Sequence, residues 1–400
     1  MLLDRPLSFH RLSFVPDGDG VLVGRPDTDD FAVLPPDGAA ALRRMTEGHS
    51  PAQAAAWYAE HYGEQLDMAD FLDTLGELGF LRGADEADPQ ESGPDAPVRF
   101  QRLARVVFSR PALGCYGLLV AAWLAVIATT PDLAPHPGQV FWTDSLLLVQ
   151  LVVVFGQLPF VGLHEACHVL AGRRLGLPSE LGMGTRLYIV VFETRMNGLL
   201  TVERRKRYLP FLAGMLIDLV VVSALGLTAF WLRGPDGAEP AAGRLLLAMA
   251  FPILIRCGYQ LFLFLETDVY YVFATALGCH DLHAATRALV LNRLRRLARR
   301  PGRTDLTQWT ERDLAVARWY APFFTLGVAV LLALAPLVFV PLFVRTVQLL
   351  ADGISSAGSG LPFWDSLVFA ALNLVQIAFW AWLTVRVHVR RRRTARGVTS

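Results

Sequence analysis

Six long apolar runs constrain this chain more than anything else in it. They fall at 112–130, 145–163, 209–232, 245–265, 319–344 and 363–385. Each meets or approaches the roughly 20 residues an α-helix needs to cross hydrocarbon. Lipid offers the backbone no hydrogen-bond partner, so runs of this length are expected to fold as helices. The composition agrees: 53% of the 400 residues are hydrophobic and 18% are charged. Arginine placement orients the spans. The segments 99–110, 173–207, 287–318 and 386–396 are rich in Arg, whereas 131–144 has no cation, 233–244 has Arg233 and Arg244, and 345–362 has Arg345. Cationic segments stay on the cytoplasmic side. Six spans then place both termini there, in a multi-pass protein of the cell membrane. The tail "RVHVRRRRTAR" reads as a topology anchor touching lipid headgroups, and no nucleic-acid partner is expected. The N-terminal "MLLDRPLSFHRLSF" has no signal-peptide apolar region. Cys115, Cys167, Cys257 and Cys279 form no C-x-x-C pair and read as small core residues.

The chain divides into three parts: a small soluble domain at 1–83, an acidic linker at 84–98 and a membrane domain at 99–400. In the first, "LSFHRLSF", "GVLVG" and "DDFAVLP" are strand candidates, with "PDGDG" as a turn. "DGAAALRRMTEG" has a helical pattern. A second helix is expected to start at Ser50-Pro51, an N-cap followed by Pro at the first helical position. A third starts near Asp67 and repeats Phe71, Leu72, Leu75 and Leu78 at helical spacing. Strands followed by helices fit a winged-helix-like α+β domain. The linker, in "RGADEADPQESGPDAP", is acidic, Pro-containing and free of aromatics, the composition of a flexible connector.

The chemistry is expected in the second span. "VGLHEACHVLAG" contains H-E-x-x-H. On a helix His164 and His168 stand one turn apart on one face and can bind one metal ion, with Glu165 placed as a general base. Ionisable groups in a span are costly, which favours a functional site over packing. A catalytic zinc needs a third protein ligand. Asp268, in "LFLETDVYYVF", is the leading candidate by depth. His164 lies about 9 residues, roughly 13 Å, from Arg173, and Asp268 about 10 residues, roughly 15 Å, from Gly278. Asp218 in "AGMLIDLVV" lies at a similar depth and is the main alternative, either as ligand or behind the ligands. Glu266, His280 and His283 are further rivals. Arg256 is another intramembrane charge, expected to snorkel outward or to pair with a carboxylate.

These motifs resemble the site-2 protease family of intramembrane zinc metalloproteases. "HEACH" matches its first motif. "LETDVYYV" resembles the L-D-G-Y-Y variant of members associated with bacterial peptide biosynthesis, with Asp268, Tyr270 and Tyr271 matching. "FLAGMLIDL" is similar to the family's F-x-G-P-x-x-N element, with Gly214 matching and Asp218 at the Asn position. "LYIVVFETRMNGLLTVERRKRYLP" is similar to the membrane-edge β segment before it. Val269 stands in place of Gly and Met215 in place of Pro, and the Asn-Pro element usually upstream of the Asp is missing from "GYQLFLFLE". The N-terminal domain resembles a RiPP recognition element, which binds a leader peptide as an added strand beside its third strand and against its third helix. On that resemblance Phe31, Val33, Phe71, Leu72 and Leu75 are near the groove. Together the resemblances imply removal of a leader from a ribosomally made precursor peptide, with one zinc ion per chain. The expected partners are the precursor, the bilayer and peptide-modifying enzymes. The alternatives are a protease cutting a membrane-tethered regulator and a non-catalytic immunity or export component. Membrane hydroxylases need several H-x-x-x-H or H-x-x-H-H clusters, and the nine histidines form only one, "HEACH" itself.

Overall fold

Three antiparallel strands begin the chain in sequence order: β1 (Ser13–Asp17), β2 (Gly20–Arg25) and β3 (Asp30–Leu34), with Phe14 opposite Val23 and Leu22 opposite Val33. They belong to a computed structural model that describes residues 3–18, 20–28, 30–83, 98–186, 189–300, 304–307, 309–356 and 361–397. The β1–β2 connection uses Gly18 at φ +60, a left-handed conformation suited to Gly. Of "LSFHRLSF" only Ser13 and Phe14 join β1, because the ladder with β2 ends at Ser13↔Gly24. Phe9 instead bridges Leu81, which ties the start of the domain to its end.

Three helices follow: α1 (Pro36–Thr46), α2 (Pro51–Tyr62) and α3 (Met68–Glu77). Ser50 Oγ accepts from Gln53 N at 3.3 Å, and Gln53 Oε1 accepts from Ser50 N at 3.0 Å, a reciprocal cap at the position expected. The Asp67 carboxylate takes the amides of Ala69 and Asp70 at the start of α3. Val23, Leu42, Met45, Leu75 and Phe80 form the core. Leu75 is 0% exposed. It is a core residue and does not face a peptide groove, because it is the inward point of α3. Phe31 and Val33 on the edge strand β3 are half-buried, as are Phe71 and Leu72 on α3, which pack against the core. The linker expected at 84–98 lies outside the described residues except for Val98.

The remainder is mainly helical. Among the described residues, five helices are long and apolar enough to cross a membrane: Arg110–Thr129, Leu146–Arg174, Arg204–Leu232, Ala241–Tyr259 and Glu311–Leu334. In chain order the elements are α4 (Gln101–Val107), α5 (Arg110–Thr129), α6 (Leu146–Gln150) and α7 (Leu158–Arg174), then the hairpin β4 (Ser179–Arg186) and β5 (Ile189–Met196). After it come α8 (Arg204–Leu232), α9 (Ala241–Tyr259), α10 (Asp268–Leu277), α11 (Leu282–Leu297), α12 (Glu311–Ser356) and α13 (Leu361–Gly397). The last expected span falls in α13, where the apolar stretch is Phe363–Phe379. Leu118, Trp231, Leu332 and Leu374 expose large apolar side chains, as a lipid-facing surface does.

Two expectations are corrected near the site, both after the second span, whose helix continues to Arg174 and encloses "HEACH" as expected. Leu151–Phe155 forms a π-helical turn before α7, and Pro159 sits in the first turn of α7, where a missing amide costs little. The fourth run is not continuous over 245–265. Helix α9 stops at Tyr259, and a turn with Glu266 at φ +53 leads into α10. In the stretch expected to be β over 187–210, strand β5 ends at Met196, and α8 has begun by Arg204.

Candidate metal centre

Helices α7 and α8 meet along two matched stripes. His164 and His168 are four residues apart on α7; Pro210, Gly214 and Asp218 repeat at the same interval on α8. Each histidine is held from behind. His168 Nδ1 donates to the Pro210 carbonyl at 2.7 Å. His164 Nδ1 donates to Asp218 Oδ2 at 2.9 Å. A carbonyl and a carboxylate only accept, so both Nδ1 atoms carry protons, and on a neutral ring Nε2 then presents a lone pair. Between these contacts a Cβ on Gly214 would collide with both imidazole rings. Only Gly lets α8 approach the pair this closely.

Asp268 completes the group from α10. Its Oδ2 lies 3.3 Å from His164 Nε2 and 3.2 Å from His168 Nε2, and the two Nε2 atoms are 3.2 Å apart. With Nδ1 the donor on each neutral ring, three lone-pair atoms face one another. Asp268 Oδ2 is buried and has no hydrogen-bond partner. A shared positive charge relieves such a convergence, and the His164, His168 and Asp268 group could hold a metal ion.

Asp268 is positioned by the turn that interrupts the fourth run. Gln260 Oε1 accepts from the Asp268 amide at 2.9 Å, and Thr267 Oγ1 donates to the Gln260 carbonyl at 2.7 Å. The break places Asp268 in the first turn of α10, aimed at the histidines.

Asp218 faces the other way. It is 2% exposed, and its carboxylate receives His164 Nδ1 and both Nε and Nη2 of Arg256 on α9. It is a support behind the ligands. Arg256 pairs rather than snorkels. Glu266 is half-exposed and lies 3.9 Å from His283, and His280 bonds Asp17; neither histidine joins the group.

Glu165 is half-buried, and its Oε2 accepts from Thr194 Oγ1 on β5 at 3.0 Å. It lines a cavity of about 400 Å³ with His168, Asp268, Tyr270, Tyr271 and His280.

The sequence carries no signal for Thr194, the Pro210 carbonyl or Gln260, because each acts only through a tertiary contact. Replacing Arg256 by Met is expected to leave the Asp218 carboxylate buried beside one donor. Removing one partner of a buried ion pair costs about 3–5 kcal/mol, and loss of a group behind a ligand weakens metal affinity about 10–100-fold. Thermal melting in detergent and chelator competition measure both. Asp218→Asn added to Arg256→Met is expected to restore much of the stability.

No family model, curated protein or solved structure matches this chain.

Proposed function

We propose that the chain is an intramembrane zinc metalloprotease that removes the leader from a ribosomally synthesised precursor peptide. One observation carries the reading. Ligand atoms about 2.0–2.1 Å from a tetrahedral zinc lie roughly 3.3 Å apart, and the three edges between His164 Nε2, His168 Nε2 and Asp268 Oδ2 are 3.2, 3.2 and 3.3 Å. His164, His168 and Asp268 would hold the ion. A zinc ion held there would supply Lewis acidity toward a scissile carbonyl and toward water. Glu165, on the wall of the same cavity, takes the water's proton and passes it to the leaving amine. Asp218, Arg256 and Pro210 keep the imidazoles in the tautomer that presents Nε2. Tyr270 and Tyr271 line the path along which an extended segment reaches the ligands.

In this reading the protein has six spans, with α13 supplying the sixth, and its N-terminal domain and tail are cytoplasmic. The N-terminal domain is winged-helix-like and takes the leader as a strand added to β3, with Phe31, Val33, Phe71 and Leu72 supplying pockets. Docking there raises the local concentration of the scissile segment at the cavity. The connections 130–145 and 233–240 are short, which favours a peptide substrate over a regulator sensed by a domain on the outer face.

Co-expression with the precursor peptide, read by mass spectrometry, tests the reading. The parent protein is expected to yield a peptide shortened by its leader and His164→Ala the full-length mass. Equal masses from the two would sink the assignment.

A further inference from the structure

The N-terminal domain is bonded to the membrane domain at the mouth of the metal cavity. Asp17 ends β1 beside the β1–β2 turn. Its Oδ1 accepts from Arg204 Nη2 at 2.6 Å, and its Oδ2 accepts from His280 Nε2 at 2.5 Å. A second contact lies alongside: Asn197 Nδ2 donates to the Asp27 carbonyl at 3.1 Å, and Gly198, at φ +78, lies under Pro26.

Each membrane-domain partner belongs to an element that also carries part of the site. Arg204 opens α8, which bears Gly214 and Asp218. His280 follows α10, which begins with Asp268, and it lines the cavity. Asn197 follows β5, whose Thr194 holds Glu165. The Asp17 side chain is only 9% exposed. The hydrogen bond from His280, with the charge of Arg204, holds its carboxyl below the usual carboxylate range despite the opposing effect of burial. An exposed ion pair would contribute little. Here the carboxylate is nearly buried and shared between two donors, so removing it strands the largely buried His280 and frees the more exposed Arg204.

The sheet order puts β1, which packs against the membrane domain, and β3 at opposite edges, and the β2–β3 turn touches the membrane domain as well through Asp27. A strand added to β3 lies three inter-strand spacings, roughly 14 Å, from β1. A rigid junction therefore fixes where the chain leaving that strand meets the cavity.

We propose that Asp17, Arg204 and His280 form a positioning clamp that sets the distance between the leader-binding edge and the metal group, and so selects the peptide bond that is cut. This rests on the reading of the chain as a leader peptidase. Asp17 is a positioning residue, since it touches neither metal nor scissile bond. Without the clamp the leader still binds, but the tethered segment reaches the cavity less often and in several registers.

Two measurements on the full-length protein in membranes test the clamp. The first is cross-linking of Asp27→Cys to Asn197→Cys by a short bis-maleimide, read by peptide mass. The link is expected to form in the otherwise unaltered protein, to fall several-fold with Asp17→Ala and to return in part with Asp17→Glu. The second is processing of the precursor. Asp17→Ala is expected to lower kcat about ten-fold with KM for the leader-bearing peptide unchanged, to spread the cut over neighbouring bonds, and to leave cleavage of a leaderless peptide unaltered. A single unchanged cut site, or a cross-link indifferent to Asp17→Ala, overturns the proposal. If the parent protein cuts neither peptide, the protease reading falls and the cut-site role with it, while the cross-link alone still decides whether the clamp exists.

Discussion

A Glu165→Gln protein is expected to keep its metal ion and to lose leader removal by a factor of about 10²–10⁴, the usual contribution of a positioned general base. Glutamine has nearly the same shape, and its amide oxygen can still accept from Thr194 Oγ1, the bond that fixes the side chain on the cavity wall. Glutamine cannot accept a proton at neutral pH. The substitution therefore separates holding the metal from using it. Metal analysis and peptide mass spectrometry on the same preparation read the two effects. Processing at the parent rate by a Glu165→Gln protein that retains its metal would remove Glu165 from the mechanism. Loss of metal together with activity would instead give Glu165 a structural role.

Gly214→Ala is expected to abolish metal binding although the residue contributes no ligand. The added methyl would occupy space filled by the rings of His164 and His168. Neither ring can turn aside cheaply, because each is fixed through Nδ1, one to Asp218 and the other to Pro210. Helices α7 and α8 must then separate. Overpacking of this kind costs about 1–3 kcal/mol, and displaced ligands lower metal affinity at least about 10–100-fold. Gly162→Ala is the control. It lies on the same helix as the histidines, a Cβ there has nothing within 4 Å, and metal content should not change. Equal zinc in both variants would show that the close approach of α8 is incidental.

The parts of the site legible in the sequence are those governed by local periodicity. H-E-x-x-H puts two imidazoles on one helical face whatever surrounds it, and the Ser50 cap and the apolar runs follow from local rules in the same way. Depth counting brings Asp268 to the right level, yet it assumes a continuous fourth span. The actual break at 260–267 has no Pro or Gly to announce it; the Gln260 side chain and the left-handed Glu266 make it, and both depend on tertiary surroundings. Depth also does not separate Asp268 from Asp218, since both lie near the histidines. What separates them is direction: one faces the Nε2 atoms and the other an Nδ1. Arg256 is visible as an anomalous charge, but its partner depends on how α9 packs against α8. Leu75 fits the groove by helical spacing, and that same spacing places it in the core.

The zinc content of the purified protein, measured for the parent, Asp268→Ala and Asp218→Asn, tests the central claim most directly. The account predicts about one zinc per chain in the parent, a near-complete loss in Asp268→Ala, and retention with weakened affinity in Asp218→Asn. A parent protein without stoichiometric zinc, or zinc kept by Asp268→Ala and lost from Asp218→Asn, would contradict it.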